Sequence, residues 1–165
     1  KTAGVTSYDE TTGKGLLRHI YLRQGTATGE VMACAVINGD RLPHEKALIE
    51  ELQKTDGMQS ICLNINKEKS NVILGSKTVT LWGSDTITDV LCGKRFAIAP
   101  NSFYQVNRDQ CEKLYTLAAD YAALTGEETL VDLYCGVGTI GLTMAEKAKR
   151  LYGIEIVPQK TCWKR

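Results

Sequence analysis

The segment DLYCGVGTIG, Asp132 to Gly141, constrains this chain more than any other. It contains G-x-G-x-x-G at Gly136, Gly138 and Gly141. The run before it, Thr129 to Tyr134 (TLVDLY), is almost continuously apolar, which predicts a buried strand of the parallel type. A helix is predicted over Thr139 to Lys149 and a second strand over Leu151 to Ile156, which makes a βαβ unit. Gly136 and Gly138 permit backbone conformations and a close approach that a Cβ would block. The helix N-terminus beyond them presents free N–H groups to an anion.

The spacing of apolar residues divides the chain near Pro100. Before it, short β-rich runs follow one another: Leu17 to Arg23, Val31 to Ile37, Ser60 to Asn66, Val72 to Leu74, Thr78 to Trp82, Ile87 to Leu91 and Arg95 to Ile98. They predict an antiparallel or mixed sheet. Ile61, Leu63 and Ile65 alternate with Cys62, Asn64 and Asn66, so one face is expected to be wet or covered by something polar. One helix interrupts the strands, His44 to Lys54, ended by Asp56-Gly57. After Pro100 a long helix begins at Asn107, where Asn107 and Gln110 form an amide variant of the capping box. Its apolar stripe is Cys111, Leu114, Tyr115, Ala118, Ala122 and Leu124, and Gly126 closes it. The predicted fold class is α/β: residues 1–99 form a central β-rich α+β domain with one helix, and residues 100–165 open a Rossmann-like domain that is incomplete.

Charge and cysteine usage narrow the class. With 20 Lys+Arg against 19 Asp+Glu the net charge is +1, so the chain is neither an acidic tail nor a basic coat. Hydrophobic residues at 43% exclude disorder and collagen-like repeats. No apolar run is long enough to cross a bilayer and the first ten residues lack a signal-peptide pattern, so no membrane address is read. Cys34, Cys62, Cys92, Cys111, Cys135 and Cys162 form no CxxC pair, and His19 and His44 are isolated. Reduced, mostly buried thiols of a cytoplasmic protein are expected, with no metal site. Lys1 in place of a start Met suggests an excised piece.

A nucleoside cofactor is the natural ligand of such a turn. Glu155, 19 residues after Gly136, stands near the end of the second strand, where a carboxylate accepts ribose hydroxyls. Asp132 at the strand end and Tyr134 and Cys135 in the turn crowd the place a pyrophosphate would need, which favours S-adenosylmethionine over NAD. A nearby carboxylate also favours a sulfonium cation. A glycine turn kept only for helix–strand packing is the third reading.

FAIAPNSFYQVN at Phe96 to Asn107, LVDLYCGVGTIGL at Leu130 to Leu142 and LYGIEIVP at Leu151 to Pro158 together resemble the RNA 5-methyluridine methyltransferase family. YDETTGKGLLRH at Tyr8 to His19 and INKEKSNVILG at Ile65 to Gly75 resemble its bacterial 23S ribosomal RNA branch. The resemblance implies S-adenosyl-L-methionine as cofactor and RNA as partner; the mixed charges make no independent case for RNA. It also implies cofactor contacts at Gln105, Tyr134, Gly136, Gly138, Thr139 and Glu155, with Phe103 as a candidate for meeting the target base.

In that family a cysteine thiolate adds to C6 of uracil, C5 takes the methyl group and a carboxylate base removes the C5 proton. The S-C-N-P-like loop and D-P-P-R-like strand end that carry these groups do not occur in the 165 residues. Cys135 matches a cofactor-side position, so no catalytic residue is expected within the chain. The chain resembles a fragment of such an enzyme, inactive alone, and an exposed edge of the Thr129 strand would favour a homodimer. A non-catalytic RNA- or protein-binding module and an NAD-type oxidoreductase half-site are the alternatives.

Overall fold

Residues 4–156 are described by the computed structural model, and they divide into two compact units. The first, residues 4–25, 29–87 and 99–101, is built on a four-stranded sheet. Its strands run in chain order, β1 (Leu17–Gln24), β2 (Val31–Ile37), β3 (Met58–Ile65) and β4 (Lys77–Gly83). β2 and β3 are parallel while the outer pairs are antiparallel, so the sheet is mixed. Parallel neighbours need a crossover, and helix α1 (Glu45–Leu52) supplies it. Leu48 of α1 packs on Ala35, Ile37 and Leu63, and Ile49 and Leu52 pack on Ala33, Met58 and Ile61. Full burial of Ile37 and Ile61 stabilises the unit by about 1.5–3 kcal/mol each.

Of the two alternatives for the alternating face of β3, the polar cover holds, and one expected strand is absent for the same reason. The Cys62, Asn64 and Asn66 face is not wet: these residues are 1%, 0% and 2% exposed. A buried amide is tolerable only when its hydrogen bonds are made. The Asn64 amide donates to the Gly75 carbonyl (2.9 Å) and to Thr78 Oγ1 (2.8 Å), and accepts from the Gly75 N–H (2.7 Å). Asn66 donates to the carbonyls of Val72 (2.7 Å) and Ile73 (3.1 Å). For that reason Val72 to Leu74 is a loop rather than the expected strand: carbonyls that a ladder would use serve asparagine side chains.

The second unit, residues 26–28, 88–98 and 102–156, contains the two-stranded sheet of β5 (Ile87–Leu91) and β6 (Lys94–Ile98) and helix α2 (Arg108–Ala122). The boundary expected at 99/100 follows the sequence, whereas the units follow burial. Leu91 and Phe96 share a core with Cys111, Tyr115 and Val137, which draws the β5–β6 strands into the second unit. Asp89 Oδ1 accepts from the Ala27 N–H (2.8 Å) and draws in residues 26–28.

Asn107 caps α2 by accepting from the Gln110 N–H (3.1 Å), as expected. The helix closes at Ala123, which takes φ 46°, and not at Gly126. Its buried stripe is Cys111, Tyr115 and Ala119; Leu114, expected inside, is 57% exposed. Next come β7 (Thr129–Leu133), α3 (Thr139–Met144), a 3-10 turn at Ala145–Lys147 and β8 (Arg150–Ile154). The predicted βαβ order is present, with a helix much shorter than Thr139 to Lys149. β7 and β8 are parallel, Leu130 beside Leu151 and Val131 beside Tyr152. Cys34, Cys62 and Cys111 are buried, Cys92 and Cys135 half-buried, and Cys162 lies outside the described residues. Among the described residues no helix is long and apolar enough to cross a membrane.

Candidate cofactor site

The turn between β7 and α3 owes its shape to three left-handed residues within five positions: Tyr134 at φ 58°, Gly136 at 54° and Gly138 at 83°. For the glycines this conformation is free of steric cost. For Tyr134 it costs about 1–2 kcal/mol, and its side chain recovers little, being 86% exposed. Strain of this kind persists where the surroundings over-determine it. Here they do: the Cys135 N–H donates to the Ile154 carbonyl (3.0 Å), extending the β7–β8 ladder, and the Gly138 N–H donates to the Cys135 carbonyl (2.7 Å).

Two carboxylates at the ends of the adjacent parallel strands hold the turn. Glu155, directly after β8, accepts from the Gly136 N–H through Oε2 (2.8 Å). Asp132 on β7 accepts from the Gly141 N–H through Oδ2 (2.8 Å), so it satisfies an amide in the first turn of α3. Partial burial pushes the Asp132 carboxyl above its ordinary range, and the Gly141 N–H works against that shift. Gly136 and Gly141 are glycine for different reasons. A Cβ on Gly136 would meet open space, so only its φ demands glycine. A Cβ on Gly141 would lie 2.8 Å from Asp132 Oδ2 and 3.1 Å from Leu151 Cδ1, so this glycine lets the helix approach the strands.

The remaining expected residues fall around this turn unequally. The Thr139 hydroxyl lies 2.9 Å from that of Tyr115 and forms a hydrogen bond with it, anchoring the start of α3 to α2. Burial pushes the Tyr115 hydroxyl up to about 12. Gln105 is half-buried on the segment before α2, and its side chain has no hydrogen-bond partner among the described residues. Phe103 is 75% exposed on the same segment. Among the described residues no hydrogen bond ties Phe103 or Gln105 to the glycine turn, whereas Tyr134, Gly136, Gly138, Thr139 and Glu155 all belong to it or border it. The sequence reading missed the Tyr115 hydroxyl, whose helical spacing marked it only as core. It also missed the Asp132–Gly141 bond, for which the third glycine of the motif was the available signal.

No family model matches the chain. It is 52% identical over 156 residues to a Listeria innocua protein named as an uncharacterized RNA methyltransferase, covering 94% of this chain and 34% of that protein. A Halalkalibacterium halodurans protein of the same description is 47% identical over 157 residues, again 94% and 34%. Among solved structures, the Pyrococcus abyssi tRNA (uracil-54, C5)-methyltransferase in complex with S-adenosyl-L-homocysteine is similar with a TM-score of 0.73 and 29% identity, over 92% of this chain and 36% of that one. The chain therefore spans about a third of the length of these proteins. The resemblance to RNA methyltransferases that the motifs carry extends along nearly the whole chain, and the α/β fold is shared with a solved methyltransferase.

Proposed function

We propose that this chain forms the cofactor-facing part of an S-adenosylmethionine-dependent RNA uracil-5 methyltransferase, with 23S ribosomal RNA as substrate of the whole protein. The observation that carries the reading is the Glu155 carboxylate, half-buried and held at the Gly136 N–H, beside open space above the turn. Such a group accepts ribose hydroxyls. Tyr134, Gly136, Gly138 and Thr139 would line the same ligand, and Gln105 would offer it an unengaged amide. S-adenosylmethionine supplies an electrophilic methyl group on a sulfonium when bound.

The Asp132 carboxylate weighs against a dinucleotide. It already occupies the Gly141 N–H, one of the amides that a pyrophosphate would seek, and it would repel the phosphate charge. Cys135 stays on the cofactor side, half-buried in the turn. The thiolate that adds to C6 of uracil and the base that removes the C5 proton lie outside these 165 residues in this reading, and Phe103 is free to meet a base. RNA as partner and the cytoplasm as location rest on the relatives and the reduced thiols, and 23S RNA on the motifs at Tyr8 and Ile65.

Calorimetry on the full-length protein with S-adenosylhomocysteine and with NADH tests the cofactor. Preference for NADH would overturn the reading. Mass spectrometry of 23S RNA and of tRNA after incubation with S-adenosylmethionine tests the substrate: new 5-methyluridine in 23S RNA is expected. Methylation confined to tRNA would refute the ribosomal assignment.

A further inference from the structure

Two stretches that the glycine turn leaves unused, YDETTGKGLLRH and INKEKSNVILG, meet in the first unit. The first is a tight turn: the Asp9 N–H donates to the Lys14 carbonyl (2.8 Å) and Asp9 Oδ1 accepts from the N–H groups of Thr11 (2.8 Å) and Thr12 (3.2 Å). The second is fastened by Arg18, whose side chain is only 1% exposed. Its Nη1 donates to the carbonyls of Asn66 (3.1 Å) and Glu68 (2.7 Å), its Nη2 to that of Ser70 (3.1 Å), and its guanidinium lies 4.5 Å from the centre of the Tyr8 ring. Where the two stretches meet there is a cavity of about 520 Å³ lined by Tyr8, Glu10, His19, Lys69, Ser70 and Asn71.

The lining is rich in donors. Five of its six side chains can donate a hydrogen bond, and only Glu10 can do nothing but accept when ionised. One of those five, the Ser70 hydroxyl, is buried without a hydrogen-bond partner among the described residues, and so is Nε of Arg18. The charges around the pocket point the same way. Lys67 is bound to Asp40 (2.7 Å) and Asp9 to its own turn, whereas Lys69 has no acidic partner among the described residues. Glu10 stands 3.6 Å from Arg18 with its own side chain 62% exposed, so water screens the pair. A pocket with surplus donors, two of whose lining residues, Tyr8 and Ser70, touch a buried guanidinium, suits an anion. Lysine, serine and asparagine are among the side chains that hold nucleic-acid phosphates.

We propose that this pocket receives a backbone phosphate of the RNA substrate, with Lys69 and Asn71 at its rim and the Arg18 guanidinium, fixed against the lining residues Tyr8 and Ser70, adding positive charge behind them. The choice of RNA rests on the function proposed above. The test uses Lys69→Ala/Asn71→Ala, two exposed positions, in the 165-residue chain. Anisotropy of a labelled single-stranded RNA is followed across a salt series. The variant should bind roughly fivefold to tenfold more weakly, and its slope of log affinity against log salt should be shallower by about 0.7, the value for one single-strand phosphate contact. Unchanged affinity and slope, in a variant whose circular dichroism matches the parent, would overturn the proposal, as would a parent chain that binds no RNA at low salt. Inorganic phosphate binding as tightly as RNA would reassign the pocket to a free anion. S-adenosylhomocysteine binding, measured on the same substitutions in the full-length protein, should not move. An NADH preference together with a weakened RNA slope would sink the function and keep the pocket, and the converse result would do the opposite.

Discussion

Replacing Tyr134 by glycine separates the conformational and binding roles of one residue. In the native turn Tyr134 holds φ 58° with its ring 86% exposed. Glycine removes a left-handed penalty of about 1–2 kcal/mol. It adds about 0.5–1 kcal/mol of chain entropy to the unfolded state. Little burial is lost, so the variant should be more stable by about 0–1.5 kcal/mol, which for a chain of this size raises the melting temperature by up to about 6 °C. Tyr134→Ala keeps the backbone penalty and should melt close to the parent. Both variants lose the ring, so in the full-length protein both should bind S-adenosylhomocysteine more weakly by calorimetry. A glycine variant less stable than the parent by 1 kcal/mol or more would refute the strain argument. Unchanged cofactor affinity in both would remove Tyr134 from the site.

Three other outcomes follow from the same turn and its neighbours. Glu155→Ala in the full-length protein should weaken S-adenosylhomocysteine binding by about 1.5–3 kcal/mol, because a charged acceptor for ribose hydroxyls is lost; it should also speed hydrogen exchange at the Gly136 amide, and an unchanged dissociation constant removes Glu155 from the site. Glu128, before β7, accepts from the Thr125 hydroxyl (2.7 Å) and N–H (2.8 Å), which holds its carboxyl down at about 2. A carboxyl lowered on folding stabilises the fold fully above its ordinary pKa of 4.5 and loses that contribution as pH falls through about 2; Glu128→Gln should therefore flatten the dependence of melting temperature on pH between those limits, and an equally steep curve would dismiss the bond. Val131 and Leu133, with Tyr152 and Ile154 beside them in register, are 49%, 59%, 53% and 56% exposed, and a parallel pair with such a face should dimerise. Light scattering over a concentration series should show the dimer, with no methyl transfer to ribosomal RNA by this chain alone; a strict monomer defeats the first expectation and any 5-methyluridine the second.

What the sequence determined by itself was local. Gly136 and Gly138 take left-handed φ because no other residue does so without cost, and Asn107 caps α2 because its side chain reaches an amide three residues on. The order strand, turn, helix, strand was legible for the same reason, since periodicity and glycine spacing act within a few residues. Tertiary structure decided everything that required two distant segments to meet. Alternation in β3 left open a wet face or one covered by something polar; the Gly75 and Val72 backbones closed over Asn64 and Asn66 and decided for the second. Helical spacing put Cys111, Leu114 and Tyr115 on the core side of α2, but the partner surface offered by Leu91, Phe96 and Val137 took only Cys111 and Tyr115 and left Leu114 outside. The motif predicted that Glu155 lies near the glycine turn. Only the parallel register of β7 and β8 determines that its carboxylate holds Gly136 while that of Asp132 holds Gly141, because register fixes which strand ends stand side by side.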